Sequence, residues 1–159
     1  MSCDAAAAAA AFFLFAQAGP ADTLHAVPAV AEAPVSVAGE PLFVDIVKRA
    51  GALKAEVAAY REGLTGASDA KPLPGFAAFT DQVTQLAAQD EKGHEVLVAR
   101  GVKDDLKCIL HGIAQDLPAK LAAVQAAKSG HDEDVALRDM DYLLNDNVEV
   151  ITAPPQPAA

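Results

Sequence analysis

The chain has 159 residues, 22 acidic against 12 basic, for a formal net charge of −10; hydrophobic residues make up 52 %, aromatics only 5 %, and tryptophan is absent. That length supports one domain with a real core but not two. The acidic balance argues against nucleic acid and against anionic lipid head groups, both of which it would repel.

The chain opens with an apolar run over residues 5–16 that leads into the small-x-small triplet Ala16-Gln17-Ala18. This is the layout of a secretory signal, so residues 1–18 are read as a signal peptide. The run is too short to span a bilayer, for which a helix needs about 20 residues. The stretch before it departs from the usual layout, because it has no Lys or Arg and carries Asp4. Removal of residues 1–18 would make the protein periplasmic or secreted; if they are retained it is cytoplasmic. A processed chain would keep one of its two cysteines, Cys108, and so would have no internal disulfide. Residues 19–41 follow as a Pro/Ala-rich linker holding His25, and residues 153–159 form a Pro-rich tail of the same character. A four-helix bundle is expected between them, over 42–152.

The first helix is predicted over 41–63, with Pro41 suited to the first helical position. Phe43, Ile46, Ala50, Leu53, Val57, Tyr60 and Leu64 alternate spacings of three and four, the seam of a left-handed bundle. The second helix is predicted over 76–100, with Phe76, Phe79, Val83, Leu86, Ala87, Leu97 and Val98 on its apolar face. Asp90 and His94 fall in the middle of that face, where burial is costly unless each finds a partner. They are the candidate metal ligands. Gly93 beside them is expected to loosen the helix.

The third helix is predicted over 104–128, on a stripe of Leu106, Leu110, Ile113, Leu117, Leu121 and Val124. Pro118 inside it removes one backbone donor and predicts a kink. Gly130 is expected to stop this helix and Asp132 to cap the next. The fourth helix, over 134–151, has a stripe of Leu137, Met140, Leu144, Val148 and Ile151, with Asp141 near its edge. Its outer surface carries Asp139, Asp146 and Glu149 against Arg138 alone. Short connections between helices of similar length predict an all-α, up-down-up-down antiparallel four-helix bundle. The weakest break, near Gly101, leaves open a three-helix body with one long bent element.

Cys108 and His111 lie three residues apart on the third helix. With Leu106 as zero they fall at about 200° and about 140°, directed away from the core, with Gln115 on the same face. They form a candidate thiol or contact pair, and Cys108 reads as a surface or subunit-contact thiol. The run Cys-Ile-Leu-His lacks the second cysteine of a C-x-x-C-H haem attachment. The expected architecture resembles the exported four-helix-bundle cytochromes, whose b-type members imply an axial Met early in the first helix and a His in the last. Here the first helix has no Met, and the last has Met140 but no His, His131 standing just before it. No cofactor is therefore expected. The stretch around His111 also lacks the lysine of histidine phosphotransfer bundles, and no nucleophile, base and orienting group can be read together.

These observations point to an exported, non-enzymatic helical bundle that acts by protein–protein contact. Asp139, Asp146 and Glu149 are its candidate contact residues, and the partner is a basic protein or a second copy of the chain. The alternatives are a metal- or haem-binding bundle centred on Asp90, His94 and Met140, and a bundle resembling bacteriocin immunity proteins in fold and size.

Overall fold

The three-four alternation of apolar residues builds four long helices. In the computed structural model, which describes residues 36–103 and 105–153, they are α1 Pro41–Leu64, α2 Phe76–Ala99, α3 Leu106–Ala126 and α4 Gly130–Thr152. The described residues include no strand, only one isolated bridge between Asp69 and Ser129. Each helix packs on the next in the chain, and α4 closes the ring against α1. This is the up-down-up-down bundle, with α1 opposite α3 and α2 opposite α4 across its two diagonals. No described helix is long and apolar enough to cross a membrane. The signal-peptide reading, His25 and most of the linker and tail lie outside the described residues.

The expected seam of α1 is buried at all seven positions. The stripe of α3 is likewise buried throughout, and Pro118 sits inside a helix that continues past it. On α2 and α4 the buried sets differ from expectation. Val98 is 51 % exposed, and Val148 and His94 are half-buried, while Gly93 and Asn147 are buried; Asp90 is buried, as its place on the apolar face predicts. Bundle register explains both changes. The α2 seam runs Phe79, Val83, Leu86, Asp90, Gly93, Leu97, and the α4 seam runs Leu137, Met140, Leu144, Asn147, Ile151, each in steps of three and four. Polar or small residues simply occupy seam positions. Val37, within the expected linker, is also buried, so the packed body begins ahead of α1.

The break near Gly101 is a true helix end. Val102 N–H donates to the Leu97 carbonyl at 3.2 Å and Gly101 N–H to that of Val98 at 2.9 Å, with Gly101 at φ +67°. This is the left-handed glycine termination known as a Schellman motif, and it turns the chain sharply from α2 into α3. Beside it, Arg100 holds Glu40 through two hydrogen bonds of 2.7 Å.

At the opposite end, Tyr60 stacks edge-on against Phe79 and Phe76, with centroids 5.5 and 6.4 Å away, and donates its hydroxyl to the Pro74 carbonyl at 2.8 Å. The α3–α4 junction corrects the expected capping. Ser129, not Asp132, is the N-cap, its hydroxyl accepting from Asp132 N–H at 3.1 Å. Gly130 opens α4 instead of ending α3. A Cβ there would lie 2.5 Å from the Ala67 carbonyl oxygen, so this crossing of loop and helix requires glycine.

Candidate functional site

Two places collect the chemistry-bearing residues, the α2–α3 interface and the outer face of α4. At the interface, Gly93 sets the spacing. A Cβ at this buried position would come within 3.2 Å of Leu110 and 3.3 Å of Phe43, so the missing side chain lets α2 settle closely onto its neighbours. Gly93 is a contact point rather than the loose spot expected from sequence.

The close approach brings the half-buried Glu91 and His94 of α2 against half-buried His111 of α3. The two imidazole rings are 4.7 Å apart between centroids and tilted by 33°. Glu91 Oε2 lies 2.8 Å from His111 Nδ1, and the Gln115 amide lies 2.9 Å from His111 Nε2. His94 Nδ1 is 2.6 Å from the Lys107 carbonyl. A carbonyl only accepts, so His94 carries its proton on Nδ1 and leaves the Nε2 lone pair open. One donor atom from each of Glu91, His94 and His111 falls within 4.8 Å of the others.

Asp90 does not share this site. It is fully buried, reaching across the bundle diagonal to accept a 2.7 Å hydrogen bond from the Asn147 amide of α4. Burial pushes its carboxyl up to about 7, and the bond from Asn147 only partly opposes this. Asp90 Oδ1 and Asn147 Oδ1 have no hydrogen-bond partner. The two candidate metal ligands thus take separate partners, Asp90 with Asn147 and His94 with His111. Met140 is buried in the core.

His111 is directed away from the central seam, as its helical angle predicts, yet it faces a neighbouring helix rather than open solvent. In a four-helix ring the positions flanking the seam contact the adjacent helices. Cys108 is half-buried and disulfide-bonded, in place of the thiol read from sequence; the other cysteine, Cys3, lies outside the described residues. The signal for the interface cluster was present as Glu91 and His94 three residues apart on one helix. It was obscured by treating the helix as having one face.

On α4, Tyr142 is 62 % exposed, more than the other exposed large hydrophobics Val44 and Val98. Asp139 lies one turn before it, Asp146 one turn after, and Glu149 one turn further. Asp139 accepts from Arg138 at 3.2 Å and sits 3.8 Å from Lys120 of α3, while Glu149 accepts from Asn145 at 2.7 Å. Asn145 in turn accepts from Lys54 of α1. Asp146 is exposed.

No protein-family model matches the chain, and neither a curated protein nor a solved structure is significantly similar to it.

Proposed function

We propose that this chain is a non-catalytic helical bundle, exported if residues 1–18 act as a signal, that works by binding a basic protein along the outer face of α4. The observation that carries the reading is Tyr142, an exposed aromatic set among Asp139, Asp146 and Glu149. A tyrosine face attracts Arg and Lys, and flanking carboxylates at one-turn spacing match cations presented by a partner helix or loop. The rest of the bundle serves as a scaffold that holds this stripe straight. The internal pairs of Asp139 and Glu149 fix the rim of the face, and exposed Asp146 is the carboxylate best placed to exchange water for a partner's cation.

Photo-crosslinking in the natural host tests this. A photoreactive phenylalanine analogue is placed at position 142 in one strain and at Ala88, exposed on the diagonally opposite α2, in another. The expected result is a discrete crosslink to a basic protein from position 142 alone, weakened by Asp146→Lys with Glu149→Lys. The same products from both positions, or none from position 142, would rule the face out.

A further inference from the structure

We infer that Glu91, His94 and His111 form a binding site for one divalent transition cation of the zinc class, separate from the α4 face and independent of any protein partner. The donor set is two imidazoles and one carboxylate, with donor atoms within 4.8 Å of one another. Such mixed nitrogen and oxygen ligands suit zinc and its first-row neighbours, and three protein ligands leave a coordination position for water. To reach about 3.3 Å, the ligand–ligand separation around a tetrahedral ion with bonds of about 2.0 Å, the wider donor pairs close from within 4.8 Å and the 2.8 Å Glu91–His111 pair opens slightly. Side chains at a half-exposed helix interface make that adjustment by small rotations, and the same exposure supplies the entry path. Glu91 and His111 retain 39 % and 34 % of their side-chain accessibility.

The surroundings of the rings carry the inference further than the donor count. A metal-binding imidazole ordinarily donates its other N–H to a carbonyl, carboxylate or similar acceptor, which fixes the ring and its tautomer. His94 has this arrangement, with Nδ1–H held by the Lys107 carbonyl and Nε2 left for the cation. His111 has the means to adopt it. Its Nδ1 proton lies between the ring and Glu91 Oε2, while Nε2 accepts from Gln115. When the cation takes that place, the ring proton moves to Nε2. Gln115 turns its amide so that the oxygen accepts. Both rings then keep an outer partner, and the Glu91 carboxylate exchanges a hydrogen bond for a metal bond. Gly93 is the packing feature that permits this, since a side chain there would press against Leu110 and Phe43 at the point where α2 meets α3.

The test uses the full chain stripped with a chelator. Zn²⁺ is titrated by calorimetry at pH 7.5, and Co²⁺ by visible absorption. One equivalent is expected to bind with a Kd on the order of micromolar or below, and Co²⁺ to give the intense visible bands of a low-coordinate site. His94→Ala, His111→Ala and Glu91→Gln are each expected to weaken binding by at least about tenfold. His131→Ala, on an exposed position of α4, is expected to leave it unchanged. Far-ultraviolet circular dichroism checks that each variant stays helical, and His111→Gln replaces the alanine variant if that one unfolds. Absence of saturable binding to the wild-type chain would overturn the inference. So would binding that persists when both His94 and His111 are replaced, or that is lost equally with His131→Ala. In those cases the Glu91–His111 pair serves only to hold α2 against α3.

Discussion

Asp90 and Asn147 set the behaviour of the core at the scale of single residues. Burial raises the Asp90 carboxyl to about 7, so it stays protonated in the fold at pH values where the unfolded chain has ionised. The stability it contributes is complete below about pH 4, the ordinary aspartate value, and is lost as pH rises through about 7. Glu40 and Asp45 act in the opposite direction. Hydrogen bonds from Arg100 and Arg49 hold their carboxyls low, so their contribution is present at neutral pH and lost as pH falls. The Asp90 effect is therefore isolated by comparison with Asp90→Asn. That variant carries no charge and supplies an N–H to a pair whose Asp90 Oδ1 and Asn147 Oδ1 lack partners. It is expected to be roughly 1–3 kcal/mol more stable than wild type at pH 8, with the difference shrinking toward pH 5. Urea unfolding at both pH values checks this, and a variant less stable at pH 8 would contradict it.

The helices themselves were largely legible in the sequence, because a long amphipathic pattern survives errors at single positions. All of α1 and α3 followed their apolar stripes. What the pattern concealed was register. Reading apolar residues alone placed Val98 and Val148 inward, whereas the three-four repeat places Gly93 and Asn147 there. The same limit hid the candidate metal site. His94 stands one residue past the seam position Gly93, which directs it toward α3, and His111 looked solvent-facing because a single-helix projection has no neighbours. The ends of elements were read less well, since Ser, Gly and Asp cluster at 129–132 and only the tertiary contact with Ala67 decides their roles. Ser129→Ala should cost about 1 kcal/mol through loss of the cap. Gly130→Ala should cost more, because its Cβ would strike a backbone carbonyl. At the other junction, Gly101→Ala forces a left-handed residue at φ +67° and should cost about 1–2 kcal/mol. Thermal or denaturant unfolding of the three variants tests this ordering.

For the whole molecule, the ring of four helices separates three tasks. The α2–α4 diagonal holds the buried Asp90–Asn147 pair that crosses the core, the α2–α3 interface holds His94 and His111, and the outer face of α4 offers Tyr142 with its carboxylates. Cation binding at the interface should stabilise the bundle by mass action, by about 2.7 kcal/mol at a free Zn²⁺ concentration 100 times Kd. At the same Zn²⁺ concentration the gain in His94→Ala, with Kd at least about tenfold weaker, should fall to about 1.4 kcal/mol or less. All of this depends on α2 and α3 packing side by side so that His94 faces His111 across their interface. The most direct measurement is a nuclear Overhauser experiment on the assigned histidine ring protons of the isotopically labelled chain. Rings with centroids 4.7 Å apart predict strong cross-peaks between His94 and His111. Cross-peaks from His94 to Asn147 of α4 instead, with none to His111, would contradict the account.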